Sequence, residues 1–260
     1  MRIPLLRSAF AALLAAATVP LAAQDTITDA VFLETLQHTV PAALNGNVLD
    51  TLHPSVLACT KLLPSQYASQ DHWCYSVEGV RHFRNLDTLG LRYCAVSELR
   101  DLPNTLRYLN VDYQEGLFSR IDRWPDSLRY VSIRHDWYWN GPNFLFDTVP
   151  PFPTHLEYLD LYGMASVDSL PTLPASLRHL DVTRCDLSEL PALPNGLEYL
   201  NVNHLVVLPA LTDLPSSLLF LDIGSSPMLD TLGALPEGLQ ELHALYASGL
   251  TELPALPPAL

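Results

Sequence analysis

Hydrophobic residues recur along most of this chain in one fixed pattern: Leu-x-x-Leu-x-aliphatic is followed about a dozen residues later by Leu-Pro, often as Leu-Pro-x-Leu-Pro. The clearest copy is LRHLDVTRCDLSELPALP, which begins at Leu177. The first leucine of each copy returns after 20 to 28 residues, at Leu86, Leu106, Leu128, Leu156, Leu177, Leu197, Leu218, Leu239 and Leu260. This period predicts a solenoid, because one repeat cannot bury its own apolar edge and must stack on its neighbours.

Apolar and polar residues alternate within each copy, as they do in a short strand with one buried face. In the copy that begins at Leu177, Leu180 and Val182 are predicted to point inward, whereas His179, Asp181 and Thr183 point outward. Equivalent strands of successive repeats are predicted to pair in parallel and to form a curved sheet. The return segments are short and rich in proline, so the convex side is predicted to be extended or polyproline-like.

Three segments carry a resemblance to a known family: LEYLDLYGMASVDSLPTLP, LRHLDVTRCDLSELPALP and LEYLNVNHLVVLPALTDLP. They resemble the short bacterial leucine-rich repeats with the consensus Leu-x-x-Leu-x-Val-x-x-Asn-x-Leu-x-x-Leu-Pro-x-Leu-Pro. YSVEGVRHFRNLDTLGLRYCAVSELRDLP resembles the first repeat of internalin-like surface proteins, and ITDAVFLETL with NGNVLDT resembles the small helical cap of exported leucine-rich proteins of the Bacteroidetes group. The resemblance implies a leucine-rich repeat solenoid.

One position departs from the family consensus. Where the family has an Asn whose side chain satisfies the amides of the turn, this sequence has Cys94, Gln114, Met164, Cys185 and Leu205. We therefore expect the inner ladder of side chains to be partly rebuilt from other residue types.

Residues 1–23 are predicted to be a secretory signal, because two arginines precede an alanine-rich apolar run without acidic residues. A membrane anchor is the alternative, but the run is shorter than a bilayer span requires. We therefore expect a secreted or cell-surface protein with no transmembrane span in its mature part.

Residues 24–76 are predicted to form an N-terminal helical cap, with one helix near Asp29–Thr39 and another after Pro54. Residues 77–260 are predicted to be the repeat array. No polar terminal repeat is visible before Leu260, so the array is expected to continue beyond the chain end; an exposed end is the alternative.

The four cysteines fit export but leave their pairing open. Cys59 and Cys74 both fall in the cap, where they either form a disulfide or remain as two buried thiols. Cys94 and Cys185 lie about four strands apart, too far to bridge each other.

The net charge of the chain argues against nucleic acid as a partner. Without residues 1–23 the chain has 12 basic and 28 acidic residues, a formal charge of −16. Such a field repels phosphate backbones, so nucleic-acid binding is not expected and a neutral or basic partner is favoured. Alternatively, the acidity only keeps a leucine-rich solenoid soluble.

Motifs for catalysis or for a cofactor are missing from the sequence. It has no Gly-rich phosphate loop, no His-Glu-x-x-His and no Gly-x-Ser-x-Gly. NGNVLD lacks the run of carboxylates that a calcium loop needs. We therefore expect no enzymatic activity, no cofactor and no metal.

The outward strand positions are the best candidate binding surface. They form an aromatic column of Tyr108, Tyr130, Tyr158, His179, Tyr199 and Phe220, beside a polar column of Asn110, Ser132, Asp160, Asp181, Asn201, Asp222 and His243. Rings supply contact area at low entropic cost, and amides and acids form hydrogen bonds, so the two columns suit an extended peptide or a sugar chain. Strand packing and solubility alone are the alternative explanation.

A second candidate site interrupts the array. The third repeat is longer than its neighbours and contains HDWYWNGPNFLFD, with Trp137 and Trp139. This insertion is either a protruding binding loop or a lid on the solenoid edge. The sequence thus predicts an exported, non-catalytic module that binds protein or glycan through its concave face, or alternatively a structural array within a larger surface or adhesion protein.

Overall fold

A computed structural model of the protein describes residues 23–67, 72–114, 118–135 and 149–260. The strands, in chain order, are β1 (Gln24–Thr26), β2 (Leu44–Asn45), β3 (Val48–Asp50), β4 (Lys61–Leu62), β5 (Thr88–Gly90), β6 (Glu98–Leu99), β7 (Tyr108–Asn110), β8 (Arg120–Ile121), β9 (Tyr130–Ser132), β10 (Tyr158–Asp160), β11 (His179–Asp181), β12 (Tyr199–Asn201), β13 (Ala210–Leu211), β14 (Phe220–Asp222), β15 (Thr231–Leu232) and β16 (Glu241–His243). Two α-helices, α1 (Ala30–Thr39) and α2 (Pro54–Ala58), complete the described secondary structure, together with short 3-10 turns.

The main sheet runs along the solenoid. Its strands follow the order β4-β5-β7-β9-β10-β11-β12-β14-β16 among the described residues, and each neighbouring pair is parallel. Equivalent positions pair in register; Leu159 faces Leu180, which faces Leu200. These leucines are fully buried, so any slip of one residue would turn an apolar row toward solvent. The predicted leucine-rich repeat solenoid with a parallel sheet is confirmed.

The convex side contains almost no regular structure. The return segments are extended, and the paired stretches found there among the described residues are β6 with β8 and β13 with β15. No helix is found in the described residues from Leu86 onward, which agrees with the prediction from the proline spacing.

The cap combines helices with a small sheet. Helix α1 begins after Asp29, whose side chain accepts from the backbone N–H of Phe32 over 2.7 Å, and Phe32, Leu36 and Val40 are buried as their spacing predicts. In addition, β1, β3 and β2 form an antiparallel sheet that the sequence analysis did not predict. Strand β4 belongs to the cap segment but pairs with β5, so the cap supplies the first strand of the main sheet.

The inner ladder is rebuilt by other residues, as expected from the loss of the family Asn. The side-chain amide of Gln114 donates to the carbonyl of Leu91 and accepts from the N–H of Val96. The Cys185 thiol donates to the carbonyl of Leu161 over 3.3 Å. These contacts satisfy groups inside the turns that water does not reach.

All four cysteines are buried free thiols in this structure. The Cys59 thiol donates to the carbonyl of Lys61 over 3.4 Å, and the bridge to Cys74 considered from the sequence is not formed. Residues 1–22, which make up nearly all of the predicted signal, and Trp137 and Trp139 lie outside the described residues. Within the described part, no helix is long and apolar enough to cross a bilayer.

Candidate functional site

The aromatic column forms one continuous stack on the concave face. Successive ring centroids from Tyr108 to Phe220 lie 4.0 to 4.3 Å apart, and successive ring planes differ by 4 to 12°. The register of the parallel strands causes this stack, because it places each ring directly opposite the ring of the next repeat. At its end the geometry changes: the His243 ring meets Phe220 edge-on at 73°.

Stacking leaves mainly ring edges available to a ligand. Since each ring within the column has a neighbour on both faces, those faces are occupied, and the edges with the tyrosine hydroxyls border the concave groove. Burial is the main cause that raises the pKa of Tyr130 to about 12, and the neighbouring Tyr108 adds to this shift. Burial is also the main cause that lowers the pKa of His179 to about 4, and the positive charge of Arg134 adds to that shift. Tyr130 and His179 are therefore uncharged near neutral pH.

The polar column places two carboxylates on adjacent strands. Asp160 on β10 is paired in register with Asp181 on β11, and they are 1% and 6% exposed. The side chain of Asp160 accepts a hydrogen bond from the backbone N–H of Tyr162 over 3.0 Å. The side chain of Asp181 accepts one hydrogen bond from the backbone N–H of Thr183 over 2.9 Å and another from the side-chain amide of Asn201 over 3.3 Å. Both acids are thus fixed by hydrogen bonds while buried in the floor of the groove.

Burial changes the ionisation of this pair. It raises the pKa of Asp160 to about 7, with a further contribution from the Asp181 carboxylate. Burial also raises the pKa of Asp181, which the hydrogen bonds from Thr183 partly oppose. A desolvated carboxylate beside a second one favours the protonated form, so Asp160 titrates in the neutral range.

A third outward column, not identified from the sequence, completes the site. It follows the polar column by two residues in each repeat and contains Arg92, Asp112, Arg134, Tyr162, Thr183 and Asn203. The Nε of Arg134 lies 3.4 Å from a carboxylate oxygen of Asp160. The backbone N–H of Arg134 donates a hydrogen bond to the side chain of Asp112 over 2.9 Å. The strand alternation predicted Thr183 at this outward position, but the sequence analysis did not extend the position to the other repeats.

These columns enclose a recess at the centre of the array. Its volume is about 390 Å³, and its lining residues are Arg134, Tyr158, Asp160, Tyr162, His179, Asp181, Thr183, Arg184, Tyr199, Asn201 and Asn203. The guanidinium carbons of Arg134 and Arg184 lie 5.0 and 5.9 Å from the centre of the Tyr162 ring. The recess therefore has an acidic floor and an aromatic and cationic rim.

Six of the predicted site residues line this recess: Tyr158, Asp160, His179, Asp181, Tyr199 and Asn201. Tyr108, Tyr130, Phe220 and Asp222 belong to the same columns but are not among the residues lining it. Asp222 instead accepts from the side-chain amide of Asn203 over 3.0 Å and from the N–H of Gly224 over 2.8 Å. Among the described residues no cluster of His, Cys, Asp and Glu could hold a metal ion.

Comparison with known proteins agrees with the fold. YopM from Yersinia enterocolitica WA-314 is 26% identical over 68% of this chain and 41% of its own, with a TM-score of 0.52. YopM from Yersinia pestis is 25% identical, covering 70% of this chain and 54% of its own, with a TM-score of 0.48. InlJ from Listeria monocytogenes is 15% identical, covering 88% of this chain and 63% of its own, with a TM-score of 0.43.

The chain is thus a leucine-rich repeat protein by its fold, which it shares with YopM from Yersinia enterocolitica at a TM-score of 0.52. It spans less than two thirds of the length of each of these three neighbours. No protein-family model and no curated protein matches the sequence.

Proposed function

We propose that the protein is an exported, non-catalytic binding module that holds an extended segment of a protein partner in its concave groove. A basic side chain of the partner would enter the central recess and approach Asp160 and Asp181. The observation that carries the proposal is this pair of buried carboxylates, placed on adjacent strands at the bottom of an open recess. Arg134 lies 3.4 Å from Asp160, so two buried carboxylates share one guanidinium. Because buried charges are costly unless they are paired, a cation from the partner would balance the second carboxylate.

The aromatic stack favours a protein over a glycan as the partner. Sugar rings bind aromatic side chains mainly through the ring faces, and here the faces within the column already contact each other at 4.0 to 4.3 Å. Ring edges and hydroxyl groups suit the mixed apolar and hydrogen-bonding surface of a peptide. Export rests on residues 1–23, and the intact mass of protein recovered outside the cell tests it, since a chain that still starts at Met1 would contradict it.

The binding experiment uses peptides selected from a random displayed library on the parent protein. Asp160→Asn with Asp181→Asn is expected to weaken the selected peptides by about 10- to 100-fold at pH 8, because a buried charge-assisted contact is lost. The matched control is Asp186→Asn with Asp230→Asn, which removes the same charge at two exposed positions outside the recess and should change affinity little. Affinity is measured by isothermal titration calorimetry.

The pH dependence gives an independent readout. A cation binds the ionised form of Asp160, so affinity should fall as pH decreases from 8 to 6, through the pKa of about 7. The double Asn variant should lose this dependence. The double Asn variant should also be as stable as the parent or more stable at pH 8. At that pH the parent must keep ionised carboxylates in a buried site, which costs free energy, and the amides of the variant carry no charge.

Two results would overturn the proposal. Selected peptides that need no Lys or Arg, or that bind the double Asn variant and the parent equally, would exclude the acidic floor as the contact. A library that yields no binder would favour the alternative, a structural array in a larger surface protein. Binding lost on replacing Trp137 and Trp139 by Ala, with the recess variants unaffected, would move the site to the inserted segment.

A further inference from the structure

Two cysteines meet at the junction between the cap and the repeat array. Cys74 precedes the first repeat and Cys94 lies in it, and both side chains are fully buried. The backbone N–H of Ala95 donates a hydrogen bond to the carbonyl of Cys74 over 2.8 Å, and the neighbouring Cys94 thiol raises the pKa of Cys74. Cys74 and Cys94 are therefore direct neighbours in adjacent layers of the solenoid.

The spacing of layers suits a covalent bond between them. Adjacent parallel strands separate equivalent Cα atoms by about 4.8 Å, which falls within the range of about 4.4 to 6.8 Å that disulfides span. The hydrogen bonds from the two thiols to backbone carbonyls are long: Cys74 donates to the carbonyl of Ser76 over 3.5 Å, and Cys94 donates to that of Arg92 over 4.0 Å. Little is lost if the sulfur atoms bond to each other instead.

We propose that Cys74 and Cys94 form a disulfide in the exported protein and so tie the end of the cap to the first repeat. This pairing replaces the Cys59 to Cys74 bridge considered from the sequence. The thiols of Cys59 and Cys185 donate to the carbonyls of Lys61 and Leu161, and they stay reduced.

The chemistry is thiol–disulfide exchange with a small-molecule disulfide such as oxidised glutathione. The thiolate of one cysteine attacks a sulfur of that disulfide, which forms a mixed disulfide and releases one reduced thiol. The thiolate of the second cysteine then attacks the protein sulfur of the mixed disulfide and releases the second reduced thiol. Two electrons pass to the small molecule, and the two protons of Cys74 and Cys94 end on the released thiols.

The fold determines when this exchange takes place. The neighbouring Cys94 thiol, followed by burial, raises the pKa of the Cys74 thiol. Because the thiolate is the nucleophile, the folded and reduced protein exchanges slowly. The bond therefore forms while the chain folds, before the junction closes over both sulfurs.

The test is refolding of the whole chain in a mixture of reduced and oxidised glutathione. Free thiols are then alkylated in denaturant and the protein is digested with trypsin without reduction. Lys61, Arg81 and Arg92 separate the cysteines, so Cys59, Cys74 and Cys94 fall on different peptides. We expect one cross-linked pair that contains Cys74 and Cys94, with Cys59 and Cys185 alkylated.

Matched variants distinguish the pairings. Cys59→Ser and Cys185→Ser should keep the cross-link, whereas Cys74→Ser and Cys94→Ser should abolish it. Four alkylated cysteines in the parent would overturn the proposal, as would a cross-link that Cys59→Ser removes. Because the peptide map of the parent needs no variant, the proposal stays testable even if a Ser substitution prevents folding.

Discussion

The cap and the repeat array close one hydrophobic core by different means. In the cap, individual side chains fix the connections: Asp29 accepts from the N–H groups of Phe32, Tyr75 and Ser76, and Thr51 donates to the carbonyl of Ala23 over 2.9 Å. In the array, one register is repeated from strand to strand. The comparison shows that a solenoid needs few special contacts once its period is set, whereas its first layer needs many.

The largest expected effect comes from removing a core side chain in each region. Leu180→Ala in the array and Phe32→Ala in the cap should each lower the free energy of unfolding by about 3 to 5 kcal/mol, because both side chains are fully buried. The two variants should destabilise different parts of the molecule, since repeats contact only their neighbours. Hydrogen exchange measured by mass spectrometry should show lost protection around β10–β12 for Leu180→Ala and in the cap for Phe32→Ala.

The control for this pair is Leu52→Ala, a side chain that is 52% exposed and should change stability little. Lost protection at β14 and β16 in Phe32→Ala would contradict the comparison, because it would mean that the cap and the whole array unfold as one unit.

A smaller effect is expected from the side chain that joins the two regions. Asp29→Ala removes the cap of α1 and leaves the partly buried N–H groups of Tyr75 and Ser76 without this acceptor. We expect a loss of about 2 to 3 kcal/mol in chemical denaturation. Asp50→Ala is the matched control, because the side chain of Asp50 accepts a hydrogen bond from the exposed N–H of Leu52. This variant should lower the free energy of unfolding by well under half as much as Asp29→Ala.

The smallest effect concerns the aromatic column. His179→Ala interrupts the stack between Tyr158 and Tyr199 and should cost about 1 to 2 kcal/mol, whereas His179→Phe should restore most of this loss. If both variants were equally stable, the ring at this position would contribute nothing to stability, neither by stacking nor by burial.

The same residue gives the array a dependence on pH. The folded protein binds a proton at His179 only near pH 4, while the unfolded chain does so near the ordinary value of about 6.5. Stability from this residue is therefore complete above pH 6.5 and decreases as pH falls toward 4. The difference in melting temperature between pH 7 and pH 5 should be smaller for His179→Phe than for the parent.

The repeat array was easier to predict from the sequence than the cap. The leucine period predicted the parallel sheet, the extended return segments and the two outward columns, because every repeat has the same local structure. Helix α1 was predictable because its apolar spacing and its capping Asp29 are local features. The sheet of β1, β2 and β3 was missed, since its strands are two or three residues long and their pairing depends on contacts distant in sequence.

The sequence by itself determined the repeat, the alternation of inward and outward positions and the strong negative charge, because these depend only on residue order and composition. Only the tertiary structure decided that the rings stack face to face, that Arg134 approaches Asp160, and that Cys74 meets Cys94 rather than Cys59. Each of these depends on which residues of different layers become neighbours and on how well water is excluded from them. Six of the eleven residues that line the recess were therefore named from the sequence, but the contribution of Arg134, the ionisation of the site and its shape come from the stacking of the layers.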